Sequence, residues 1–212
     1  MTKKYHLKTE YSIFILAIVG IILLVMPLSV ENTRQANFIS KWNEKFNRIE
    51  YMFSVINAHK TSDMLKSLND AQTPQEREHI LLMIIKPYLR INTEKFPKHY
   101  KPRCLNGSKI NSKHAYYFNE LYYAENNTIV GIKDISEEKS EDPLFLMMFD
   151  INGTLPPNRW GKDIYGIRIY DEGIIKPFGE DLDMSKIKED CSNSGTGGAC
   201  SYYYKIGGDF DD

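Results

Sequence analysis

The sequence predicts an α+β fold in which one long N-terminal helix, membrane-spanning in its first part and amphipathic in its second, packs on a small antiparallel β-sheet. Three observations carry that expectation. An uncharged run, YSIFILAIVGIILLVMPLSV, fills residues 11–30. Beyond it Phe38, Trp42, Phe46, Ile49, Phe53 and Ile56 recur at intervals of three and four, the spacing of one helix face. From residue 115 onward short apolar or alternating runs are broken by turn residues, and the 14 Tyr and 10 Phe of the 212-residue chain suit half-buried strands.

Taken in order, residues 1–10 form a basic leader with Lys3, Lys4 and Lys8. Residues 11–30 would reach about 30 Å as a helix, the thickness of a bilayer's hydrocarbon core. The run is longer than the apolar centre of a cleaved secretory signal, so a retained single-pass transmembrane helix is expected. Lys3, Lys4 and Lys8 on one side are balanced by Arg34, Lys41 and Lys45 on the other, so charge bias does not orient the span.

Residues 31–114 read as a helical stalk with connecting helices. The striped helix continues to His59, and a short helical segment is expected within residues 61–72. A further helix opens with Thr73 as its cap, Pro74 at the first helical position and Glu76 placed to bond back, and runs to Lys86, where Pro87 ends or kinks it. Residues 115–212 are expected to hold the antiparallel sheet and a loop-rich tail. Within them lie a hairpin over 115–134, the apolar strand LFLMMFD in the middle of the sheet, the alternating strand DIYGIRIY, a turn at Asp171 to Gly173, and IIKPF.

The 27 basic and 28 acidic side chains nearly cancel, so no global field recruits nucleic acid. The five histidines lack ligand spacing, and neither HExxH, CxxC nor a nucleophile motif occurs, so no enzyme is expected. The run Gly195-Thr196-Gly197-Gly198 lacks the Lys-Ser/Thr of a phosphate loop and reads as a mobile loop between Cys191 and Cys200. A disulfide joining those two cysteines would place the C-terminal body outside the cytoplasm, with the N-terminus inside. Cys104 reads as a small buried hydrophobe.

The stretch FDINGTLPPNRWGKDIYGIRIY, residues 149–170, admits two readings. Asp150, Asn152, Asn158 and Asp163 offer hard oxygen ligands within fourteen positions, as a calcium site does. Gly161, where an EF-hand carries its glutamate, excludes that particular motif. In the other reading Asp150 and Asn152 make side-chain-to-backbone turns, Gly153 takes a positive φ, and Asp163 caps the loop. Trp160 is expected as a lid on the sheet.

This plan resembles the pseudopilins and type IV pilin-like proteins: basic leader, apolar helix turning amphipathic, small antiparallel sheet. The likeness extends to Asp150, Asn152, Gly153, Pro157, Asn158, Gly161 and Asp163, which match a strand-ending Asp-x-Asn-Gly turn and a Pro-Asn-x-x-Gly-x-Asp loop. The resemblance implies a structural or minor subunit of a type II secretion or type IV pilus-type envelope machine in the cell inner membrane. Its partners would be other pilin-like subunits and an inner-membrane assembly platform. The resemblance keeps calcium in the loop as the one cofactor to test; the stripe from Phe38 to Ile56 is core by default, but its membrane-proximal end, Phe38 to Trp42, is the part that would serve as an assembly surface if it lies below the globular body. Glu10 stands where the family carries the glycine before its cleavage point, and Ile15 where it carries a glutamate, so the leader is expected to stay attached. The alternative is a membrane-anchored extracytoplasmic ligand-binding module, with a concave pocket lined by Tyr202, Tyr203 and Tyr204.

Overall fold

The computed structural model describes residues 3–58, 68, 70–136, 144–170 and 173–209, with side chains described from Tyr11 onward except those of 23–29, 31 and 57. The chain divides into two compact units, Met1–Asn37 and Phe38–Asp212. Helix α1, Lys3–Ala58, supplies all that is described of the first unit and opens the second.

In the first unit the described apolar side chains lie in the open: Ile13 is 67% and Leu16 70% exposed, and Tyr11, Phe14, Ile15, Ile18, Val19, Ile21 and Ile22 are exposed too. Among the described residues no helix is long and apolar enough to cross a membrane. The expected transmembrane helix over residues 11–30 is therefore not carried by the described structure, and the side chains of its 23–29 portion lie outside the described residues.

The second unit is built on a five-stranded antiparallel meander whose strands lie side by side in chain order. The strands are β1 Leu121–Tyr123, β2 Ile129–Asp134, β3 Phe145–Asp150, β4 Ile164–Ile169 and β5 Ile175–Pro177. A 3-10 turn, Glu125–Asn127, closes the expected hairpin, which begins at Leu121 rather than at residue 115. The register pairs Val130 with Phe149, Phe149 with Tyr165, and Asp150 with Ile164. Strand β3 lies in the middle, as its unbroken apolar run implies for a strand covered on both faces.

Side chains alternate across the pleat. Val130, Ile132, Met147, Phe149, Tyr165 and Ile167 enter the core that also buries Trp42, Phe46, Ile49 and Phe53 of α1, so the helical stripe finds the sheet it was expected to cover. Ile129, Met148 and Ile164 face the other way and form a second core with Phe118, Trp160 and Phe178. Trp160 is fully buried there, the lid expected of it, stacked on Phe178 with ring centroids 5.6 Å apart.

Helix α2, Pro74–Leu89, adds Leu81, Leu82, Ile84, Ile85 and Leu89 to the first core. Thr73 caps it by accepting the Glu76 amide at 3.2 Å, while the Glu76 carboxylate accepts the Gln72 amide at 2.9 Å. Pro87 does not end the helix: it falls in the last turn, where a proline removes one terminal hydrogen bond, and Arg90 in the left-handed region (φ 51°) closes it instead. The short helical segment expected within 61–72 falls mostly outside the described residues, as does the turn at Asp171 and Glu172.

The tail is loop-rich, as expected, but not without regular structure. It forms two short helices, α3 Met184–Asp190 and α4 Cys200–Lys205, joined by a disulfide between Cys191 and Cys200 with their Cα atoms 5.3 Å apart. Asp190 organises the segment between them, its carboxylate accepting the amides of Thr196 and Ala199, each at 2.8 Å. The glycine run is therefore a packed one and not the mobile loop expected. A Cβ on Gly195 would stand 2.0 Å from the Asp190 carbonyl oxygen, and one on Gly198 would stand 1.9 Å from the Tyr116 hydroxyl.

Candidate metal centre

Strand β3 ends at Asp150 and β4 begins at Ile164, so the register that pairs these two residues brings Asp150 and Asp163 together at the base of the intervening loop. The Ile151 amide extends the ladder by one bond, donating to the Asp163 carbonyl at 3.0 Å. The loop is pinned laterally as well: Trp160 donates its amide to Arg103, and Arg103 donates its amide to Asn158, both at 3.0 Å. Gly153 takes φ +71°, and a Cβ there would lie 2.4 Å from the Asn127 carbonyl oxygen, so the first bend demands glycine.

Both aspartates are fully buried. Asp150 accepts the Tyr100 hydroxyl at 2.6 Å through Oδ2 and the Asn152 amide at 3.2 Å through Oδ1. Asp163 accepts the Asn158 amide at 2.8 Å and the Arg159 amide at 2.7 Å. These are the side-chain-to-backbone bonds of the turn-and-cap reading, and the structure has them.

Neither carboxylate has an ion-pair partner among the described residues. Burial, and then the neighbouring Asp163 charge, raise the Asp150 carboxyl well above the usual range. Burial lifts Asp163 to about 6 against the pull of its backbone donors. Two buried carboxylates that act on each other electrostatically cannot both ionise cheaply, so they hold a proton or admit a cation.

The amide side chains of the loop bear on that choice. Asn152 donates through Nδ2 to the Pro156 carbonyl at 3.3 Å, and Asn158 through Nδ2 to the Thr154 carbonyl at 3.2 Å. With the amides in that orientation, Asn152 Oδ1 and Asn158 Oδ1 are buried with no protein donor. Buried acceptors without a protein donor are uncommon in folded proteins, and a bound water or an ion accounts for most of them. Each carboxylate oxygen keeps a second lone pair beside the hydrogen bond it accepts. Among the described residues no group of three or more His, Cys, Asp or Glu gathers, so a metal here would have two carboxylates completed by amide and carbonyl oxygens, a calcium-type donor set.

Phe38 and Trp42, expected as an assembly surface, are buried in the body's own core. Trp42 has zero exposure, stacks on Tyr165 at 4.9 Å between ring centroids, and donates its indole N–H to the Ser201 carbonyl at 2.8 Å. Phe38 is 8% exposed and belongs to the same core. Both lie on the stripe that the sheet covers. Tyr203 and Tyr204 are buried as well, and the Tyr204 hydroxyl donates to the Gly161 carbonyl at 3.1 Å, so the pocket expected around Tyr202 to Tyr204 does not form. Cys104 is fully buried and free, as expected, with its sulfur 3.5 Å from His114 Nε2.

Two features that sequence alone did not reveal complete the site. Tyr100 reaches Asp150 across fifty positions with no local pattern to announce it. Asp190, in a sequence of ordinary tail composition, holds the segment that packs against Gly161.

The fold and the site thus define a class: an antiparallel meander laid on a long helix, with a buried acidic loop between its third and fourth strands. No protein-family model, no curated protein and no solved structure matches the chain.

Proposed function

We propose that the protein is a pilin-like, non-catalytic subunit of an envelope machine of the type II secretion or type IV pilus kind. It is anchored in the inner membrane by residues 11–30 and carries its disulfide-bonded body on the extracytoplasmic side. The observation that supports this reading most is α1 itself. From Tyr11 to Ile22 its apolar side chains are exposed, whereas from Phe38 to Phe53 its stripe is covered by the sheet. A helix apolar all round is suited to lipid or to the helices of other subunits, not to water. On this reading the assembly surface is the exposed run from Tyr11 to Ile22, in place of Phe38 and Trp42, and calcium in the 150–163 loop stiffens the end of the sheet.

The test uses single cysteines at Ile15 and Ile22, both exposed on α1, in the full chain expressed in its native membrane. Oxidative cross-linking should yield dimers and longer ladders, and alkaline carbonate should leave the chain in the membrane pellet. Monomer alone at both positions would overturn assembly through α1. Release by carbonate would overturn the anchor.

A further inference from the structure

The outer face of the sheet, opposite the stripe of α1, holds a second feature that the strand register creates. Met148 of β3 stands between Gly131 of β2 and Gly166 of β4. A Cβ on Gly131 would lie 2.8 Å from Met148 Cγ, and one on Gly166 would lie 2.6 Å from the Phe178 ring. The two glycines thus make room for aromatic rings to settle directly on the sheet beside Met148.

A cavity of about 460 Å³ opens here, lined by Phe118, Met148 and Tyr116 and by the cations Lys101, Arg103 and Lys109. Its size falls in the range of small-molecule sites, about 300 to 1,000 Å³. The Tyr116 ring is held in place by stacking on Trp160, with centroids 4.4 Å apart. The charged side chains that line the cavity are all basic. Residues 95–119 include Lys95, Lys98, Lys101, Arg103, Lys109 and Lys113 and not one Asp or Glu, in a chain whose formal net charge is −1. Among the described residues Lys101 and Lys109 have no hydrogen-bonded or ion-paired partner, and the Arg103 side chain donates only to the Gly107 carbonyl, at 3.0 Å.

We propose that this cavity binds a small organic anion. Its carboxylate, phosphate or sulfonate group meets Lys101, Arg103 and Lys109, and its apolar body lies against Phe118 and Met148. The aromatic and thioether lining supplies burial for the body. The unneutralised cations supply a counter-charge that the fold does not otherwise satisfy. A polyanion would need only the basic surface, whereas the cavity behind it favours a discrete ligand. The inference does not depend on the assembly reading, because every residue it uses lies within the second unit.

The test is calorimetric titration of the full chain in zwitterionic lipid nanodiscs with naphthalenesulfonate, with empty nanodiscs as the blank and naphthol as the neutral partner. Saturable binding of the sulfonate at one site is expected. The double variant Lys101→Gln/Lys109→Gln, exposed positions outside both cores, should keep its melting temperature and bind about tenfold more weakly. Naphthol should bind more weakly than the sulfonate and equally to both proteins. No saturable heat above the blank, or equal sulfonate affinity in the double variant, would overturn the proposal. So would displacement of the probe by a short oligothymidylate but not by thymidine monophosphate, which would assign the basic surface to a polymer.

Discussion

The carboxylate pair gives the sharpest quantitative expectation. Without a bound cation, burial pushes the Asp163 carboxyl from the ordinary 3.8 up to about 6, and the Asp150 carboxyl is raised in the same direction. A raised acid pKa means that the folded state binds more protons, so stability is fully present below the unfolded pKa and is lost as pH rises through the folded one. For Asp163 that window runs from 3.8 to about 6. A shift of about two units corresponds to about 3 kcal/mol, or roughly 6 to 12 °C in Tm for a body of this size. Calcium at a hundredfold excess over its dissociation constant would return about 2.7 kcal/mol at neutral pH and progressively less on acidification, as protons compete for the same oxygens. Differential scanning fluorimetry across this pH range, with chelator and with calcium, measures both effects. Asp150→Asn separates the two readings of the loop. It removes the repulsion while the Tyr100 hydroxyl can turn to accept from the new amide, so the calcium-free variant should melt higher than wild type at neutral pH and ignore calcium. A calcium-free Tm that stays flat or rises with pH through the window, with no response to calcium, would refute the argument and leave the loop as turn and cap alone.

Trp42→Ala should cost about 3 to 5 kcal/mol, because it empties the contact with Tyr165 and strips the Ser201 carbonyl of its donor, and chemical denaturation measures the loss. Replacing Cys191 and Cys200 by alanine opens a closure of nine residues' separation, which the chain-entropy relation values at about 2 to 3 kcal/mol; reduction of the wild type should lower its denaturation midpoint by the same amount. Gly198→Ala should destabilise the body by more than the few tenths expected of a surface substitution, since its Cβ meets the Tyr116 hydroxyl at 1.9 Å, whereas Gly207→Ala, with nothing within 4 Å, should pay only the cost of its positive φ. An equal and small effect at both positions, read from their melting temperatures, would remove the packed description of the tail.

What was legible in the sequence was whatever a repeat period announces. The stripe from Phe38 to Phe53 reads at the helical period because one face of α1 is buried, and LFLMMFD reads as a central strand because both faces of β3 are covered. The four polar loop residues were legible because turn chemistry is local, and the structure does gather Asp150 and Asp163. Helices α3 and α4 were not legible: at seven and six residues they are too short to show a period, and tertiary contacts such as those of Ile187, Tyr203 and Tyr204 hold them. Gly195, Gly197 and Gly198 misled because a run of glycines has the same composition whether it is loose or closely approached. Trp42 misled in another way, since a position near the outer end of an apolar stripe looks free until the sheet above it is known to reach that far.

The two faces of the sheet divide the work, and the loop at the end of β3 touches both. On the inner face Trp42, Phe149 and Tyr165 join helix to sheet, and the Tyr165 hydroxyl donates to the Lys162 carbonyl inside the loop at 2.5 Å. On the outer face Tyr100 lines the cavity and donates to Asp150. Among the described residues Tyr100 is therefore the side chain shared by the acidic pair and the cavity, and its hydroxyl faces the Asp150 carboxyl. A cation at the pair would compete with the hydroxyl for Asp150, and a ligand filling the cavity would press on the same ring. Were both sites filled and each to shift Tyr100, the effect would be reciprocal: whatever factor calcium applied to the affinity for the anion, the anion would apply to the affinity for calcium. The sign depends on which arrangement of Tyr100 each ligand favours. Its scale would be set by the one bond present there, from the Tyr100 hydroxyl to Asp150, about 1.5 to 3 kcal/mol for a bond to a charged group.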